Sequence, residues 1–177
     1  MFKFSTFVCL VISIVAFACK EIDKLLTFDI NHSQDLTFSS GFPLNTIQVL
    51  APVNVTTNSQ DEFKNNRTKA ELVKNVSLSS LKLTIIDPAT EDFSFLKSVE
   101  VFISLPDDTK EIRLAHAENI PENINNALEL TSTNAKLDEY LKAPSYKLRT
   151  KVVYDEYTTK NYTIRADMKF KVTADPF

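Results

Sequence analysis

From Leu25 onward the chain reads mostly in twos. Tyr162, Ile164, Ala166, Met168, Phe170 and Val172 alternate with Thr163, Arg165, Asp167, Lys169 and Lys171, the period of a strand with one face in a core and one in water. The same alternation over Leu26, Phe28 and Ile30, then over Leu36 and Phe38, predicts two short strands near the start. Gly41-Phe42-Pro43 predicts a turn. Ile47, Val49, Val53 and Val55 follow, with Pro52 demanding a bulge or an edge because it cannot donate to a ladder. Residues 25–57 therefore predict a β-layer of three or four short strands.

The period changes over Ser59–Lys74. Ser59 is placed to cap, Asp61 and Glu62 suit the first turn of a helix, and Phe63, Ala70 and Val73 form a thin apolar stripe. One amphipathic surface helix is expected, or two short ones broken at Arg67-Thr68. Val76, Leu78, Leu81, Leu83 and Ile85 then predict a strand that stops at Asp87-Pro88. Ser98–Leu105 and Glu111–Ala117 are expected to pair around a Pro106–Lys110 loop, as a meander. A short strand over Ala127–Thr131 and a helical turn over Ala135–Lys142, packing Leu137, Tyr140 and Leu141, come next. Tyr146–Tyr154 and Tyr162–Ala174 are expected to close the chain as a long hairpin around Asp155–Asn161.

Short strands at intervals of roughly ten residues, few helices and no βαβ rhythm predict an all-β fold, an antiparallel β-sandwich with one or two short helices. Residues 25–177 form a single domain in this reading, with its core meander at about 76–174. That pattern resembles the immunoglobulin-like sandwiches of exported bacterial lipoproteins, although the cysteine pair and tryptophan of antibody domains are missing.

Composition narrows the chemistry. The whole chain of 177 residues holds one glycine, Gly41, so the glycine-rich loops of Rossmann, Walker and nucleophile-elbow enzymes have no material. A formal charge of −3, interspersed, offers no basic patch for nucleic acid. His32 and His116 stand alone, without second ligands at zinc spacing, and read as surface or edge residues.

The first residues say where the domain works. Lys3 precedes Phe4–Ala18, an uncharged and mostly apolar run of 15 residues, which suits a signal-peptide core and is short for a membrane span. Ala16-Phe17-Ala18-Cys19 resembles a bacterial lipobox. The resemblance implies a signal peptide at 1–18, cleavage before Cys19, and acylation of the Cys19 thiol and amine with chains of the palmitate kind. One chain gives only reversible attachment, whereas two or three hold a domain on a membrane. Ordinary secretory cleavage and an uncleaved signal anchor are the alternatives. The first leaves Cys19 as a lone thiol, since Cys9 departs with the signal. Lys20-Glu21-Ile22-Asp23-Lys24 is similar to the surface-export signal of Bacteroidota lipoproteins. That likeness implies a lipidated tether at 19–24 and an outer-membrane, surface-exposed location; a plain charged tether is the other reading.

If successive strands alternate in direction, the loops holding Asp87, Glu91 and Asp92, Glu118 and Glu122, and Asp155 and Glu156 share one end of the domain. Asp87, Asp92, Asp155 and Glu156 are the candidate ligands for a hard cation such as Ca²⁺ or for a basic partner. Tyr157 is the tyrosine that neither strand nor core explains, and so the candidate contact for a protein or glycan. The expected function is a non-catalytic binding or structural module on the lipid membrane, with no required cofactor. Its alternative is a secreted or envelope hydrolase with paired carboxylates.

Overall fold

A computed structural model of the chain describes residues 26–108 and 110–175; Cys19 and the segment before it lie outside them. Nine strands account for most of the described residues: β1 (Thr27–Phe38), β2 (Ile47–Val49), β3 (Val53–Thr56), β4 (Val73–Asp87), β5 (Leu96–Ser104), β6 (Ile112–Glu118), β7 (Ala127–Ser132), β8 (Ser145–Tyr154) and β9 (Tyr162–Ala174). Two short helices, α1 (Ser59–Asn65) and α2 (Asp138–Lys142), and a 3₁₀ turn at Ala70–Leu72 fill the connections. The fold is all-β and antiparallel, as expected.

The strands follow one hydrogen-bonded path, β1-β9-β4-β7-β6-β5-β8-β2, with β3 also on β8. β7 carries that path round a corner. Ala127–Leu130 pairs with β4, while Thr131 and Ser132 pair with β6, so the sheet curls and its inner faces share one core.

β9 lies between β1 and β4, and its alternation holds along its whole length. Tyr162, Ile164, Ala166, Met168, Phe170, Val172 and Ala174 are all buried. In β4 the apolar positions switch parity between Leu78 and Leu81, and the ladder shows why. Leu78 faces Phe170 and Ser80 faces Lys169, which leaves Ser79 as a one-residue bulge that returns Leu81, Leu83 and Ile85 to the inner face.

Four expectations about the strands are corrected. The first strand is one 12-residue element rather than two, because His32 and Gln34 continue its inward row at half-buried positions. Residues 25–57 do not build a layer of their own. β1 forms one edge of the sheet and β2 with β3 the other, separated at Pro52 as proline's missing donor requires. β8 and β9 are not a hairpin; β8 pairs with β5 and β9 with β4 and β1, so residues 155–161 arch between distant parts of the sheet. The meander covers β5, β6 and β7, while β4 sits beyond β7 in a Greek-key order.

The helical segment breaks where expected, with Arg67 at φ 57°, but Ser59 does not cap. It is the first residue of α1, fully buried, and its hydroxyl has no partner. Phe63 is buried against Phe28 of β1, so the helix contributes to the core instead of lying on it. Leu137, Tyr140 and Leu141 are buried in and before α2, as expected.

Two substitutions test this account by urea unfolding. Phe170→Ala, at a fully buried site in the middle of β9, is expected to cost about 3–5 kcal/mol. Ser59→Ala is expected to be neutral or to stabilise by up to about 1 kcal/mol, since it deletes an unpaired buried hydroxyl. A capping serine would instead lose about 1 kcal/mol.

Candidate functional site

The loops singled out from the sequence meet at one end. β1 fixes its distance from the start of the described chain: Thr27 pairs with Thr173 and Phe38 with Tyr162, so the strand runs the full length of β9. Twelve residues in extended conformation span about 37 Å. Residues 88–95, 119–126 and 155–161 lie at the Tyr162 end. Asp155 N–H donates to Phe95 O (3.2 Å), Phe93 N–H to Asn125 O (3.3 Å) and Ile120 N–H to Lys97 O (3.2 Å), which ties each loop to another part of that end.

Aromatic packing under the loops explains why they hold together. Phe95 stacks on Tyr162 with centroids 4.3 Å apart and planes within 9°, and its ring is 5.3 Å from that of Tyr154. Phe42, from the loop after β1, also stacks on Tyr154, at 5.5 Å. The Tyr154 hydroxyl donates to Ser39 O, and the hydroxyls of Tyr162 and Thr158 share a hydrogen bond of 2.9 Å. Burial pushes the Tyr154 phenol well above its ordinary value, so it stays neutral and bonded.

Above this floor is a cleft of about 220 Å³ with Glu91, Asp92, Glu156, Tyr157 and Lys160 in its walls. Lys160 Nζ donates to Glu91 Oε1 at 2.7 Å and so clasps the two loops; that hydrogen bond raises the ammonium's pKa. Of the sequence candidates, Asp92, Glu156 and Tyr157 line the cleft. Asp155 is exposed at its edge, and Asp87 is exposed at the last pair of β4, opposite Thr163. Asp92 also accepts from Ser94 N–H at 3.0 Å, which closes its own turn. Tyr157 is 70% exposed, the most open of the large hydrophobic side chains among the described residues. Sequence reasoning missed Lys160; a lone lysine in a loop gives no sign that it reaches a carboxylate far away in the chain.

The carboxylates rim the end rather than converge. Among the described residues no three His, Cys, Asp or Glu side chains gather closely enough to hold a metal ion. His32 stands half-buried on the edge strand, its ring 6.4 Å from that of Tyr146, and His116 pairs with Glu100 and Thr131 in the ladder. A larger hollow of about 590 Å³ lies at the opposite end, where Leu105 and Pro106 face Ala143 and Pro144. No helix among the described residues is long and apolar enough to cross a membrane.

No protein-family model matches this chain, and no curated protein does. Among solved structures it is similar to a "putative secreted protein" from Eubacterium rectale at 11% identity and a TM-score of 0.39, over 85% of this chain and 39% of that one. It thus spans well under half of that protein's length. Structures of Desmodium yellow mottle tymovirus (11% identity, TM-score 0.27, 85% and 84% of the two chains) and Cocksfoot mottle virus (10%, 0.28, 86% and 86%) share the likeness at a lower level.

The environment of His32 generates a pH prediction. Burial holds its imidazole below the ordinary value of 6.5, so the neutral ring is the folded state's preference. The stability this contributes is present above 6.5 and is lost as pH falls through the lowered folded value. Urea midpoints are therefore expected to drop on mild acidification, and His32→Leu is expected to flatten that acid limb. An unchanged limb would assign it to other groups.

Proposed function

We propose that this chain is a lipid-anchored, non-catalytic binding module of the bacterial cell envelope, held at the outer membrane through acylated Cys19, that meets its partner with the loop end built on Tyr154 and Tyr162. The observation that carries this reading is the course of β1. It starts where the 19–24 tether joins the domain and ends about 37 Å away, at the recognition loops. An anchor at one end therefore presents the other to the surroundings. Loops on a rigid sheet are where recognition side chains stand free of the core.

We read the curled sheet as an antiparallel sandwich of immunoglobulin-like style. His32 of β1 packs against Tyr146 of β8, and Phe95 touches both Tyr154 of β8 and Tyr162 of β9, so side chains from the two limbs meet across the core. Support for a non-catalytic role comes from the state of the acids. No Asp, Glu, Lys, Arg or His among the described residues is fully buried, and Asp87, Asp92, Asp155 and Glu156 are open to water. A carboxyl group tuned by desolvation needs the opposite setting. Asp87, Asp92, Asp155 and Glu156 with the open ring of Tyr157 suit a cationic protein or glycan surface, and Ca²⁺ can enter only where a partner completes its ligands.

Two measurements test the proposal. Mass spectrometry of the membrane-extracted protein is expected to find acylated Cys19 at the N-terminus, and Cys19→Ser to move the protein into the aqueous fraction; a soluble chain with an unmodified Cys19 would refute the anchor. Alanine at Asp87, Asp92, Asp155, Glu156 and Tyr157 together is expected to abolish partner capture from solubilised envelopes while the protein stays folded, with only a small drop in Tm from the lost Asp92–Ser94 turn bond. Unchanged capture would remove the loop end from consideration.

A further inference from the structure

The two edges of the sheet are finished in different ways. Among the described residues β1 pairs only with β9. Ala174 N–H donates to Leu26 O, and by alternation the backbone groups of Asp29, Asn31, Ser33, Asp35 and Thr37 point away from β9. Those residues carry the charged and polar side chains that protect natural edges, and Asp29 and Asp35 are held by Lys169 and Arg165. β2 has no such protection. The 25 residues from Leu36 to Gln60 contain no Asp, Glu, Lys or Arg, in a chain that is 24% charged.

The exposed side chains and the open backbone coincide on β2. Leu50 N–H donates to Thr150 O, and Val49 faces Lys151, so Gln48 and Leu50 bond to β8 while Ile47 and Val49 turn their N–H and C=O groups outward. Ile47 is 68% and Val49 54% exposed. Two open apolar side chains thus stand on the residues whose backbone is free to accept another strand.

We propose that β2 is a self-association edge, and that a second copy of this chain adds to it antiparallel about a two-fold axis through Gln48. In that register Ile47 of one copy faces Val49 of the other, twice. Each such pair exchanges both backbone hydrogen bonds and stacks its side chains on the outer face. The charge pattern permits this and disfavours the β1 alternative: no like charges meet across β2, whereas copies joined through β1 would bring the carboxylates of Asp29 and Asp35 to the seam. Pro52 ends the strip on one side and the positive-φ turn at Asn45 on the other. So short a seam stays well below the roughly 1,000 Å² of a stable interface, and the dimer is weak and concentration-dependent. This inference is independent of the anchor and of the loop end.

Disulfide trapping of the whole chain tests it. Gln48 faces its own copy as a non-hydrogen-bonded pair, with a Cα separation near 4.5 Å that suits a disulfide. Mild oxidation of Gln48→Cys is expected to give a covalent dimer above the background that Cys9 and Cys19 set in the native chain. Adding Ile47→Lys and Val49→Lys, both at open positions, is expected to cut its yield roughly tenfold or more by placing like charges opposite each other, with Tm unchanged. Ser33→Cys on the β1 edge is expected to stay at background. A Gln48→Cys chain that remains monomeric, that crosslinks only to a different protein, or whose dimer survives the two lysines would overturn the proposal, as would equal trapping at Ser33→Cys.

Discussion

β9 is the strand on which the others depend. It lies between β1 and β4, pairs along its length with both, and supplies one inward side chain at every second residue. Its partners come from the start and the middle of the chain, so its ladders join segments 76 to 146 residues apart. Such pairing is entropically costly to reach, because long loops must close before any contact rewards them. The apolar row from Tyr162 to Ala174 is what offsets that cost. Phe170 and Met168 meet Leu78 and Leu81 across the β4 ladder, and the bulge at Ser79 keeps both limbs of β4 in register with the same inward row.

The loop end grows from the same strand. Tyr162, the first residue of β9, is the ring on which Phe95 lies, and Tyr154 closes the group from the last residue of β8. A loop without a βαβ crossover or a glycine turn has little intrinsic shape. These acquire theirs from an aromatic floor and from the Lys160–Glu91 clasp. The apolar layer thereby positions the acidic rim, and the rim is left free to be polar.

The sequence disclosed what period alone can disclose. The faces of β9, the span of β8, the inward row of β4 and the Pro52 break were legible because each is a local pattern. Which strand lies beside which was not: Tyr146–Tyr154 and Tyr162–Ala174 look like hairpin partners, and nothing within either records that β5 and β4 are the true neighbours. His32 and Gln34 hid the middle of β1, since a polar residue at an inward position breaks the alternation although the backbone runs on. The shared end of residues 88–95, 119–126 and 155–161 could be inferred from strand alternation. The Lys160 contact could not, because it depends on two side chains 69 positions apart.

The course of β1 also has a mechanical side. A pull that enters through Leu26 and leaves by the loops beyond Phe38 acts along the strand axis. Antiparallel ladder bonds lie across that axis, so all twelve residue pairs between β1 and β9 share the load in shear. The opposite geometry, with force at one end of a hairpin, would open the pairs one after another. A domain strung in this way resists being drawn out lengthwise with its whole first ladder at once, and gives way only when the ladder slips as a unit.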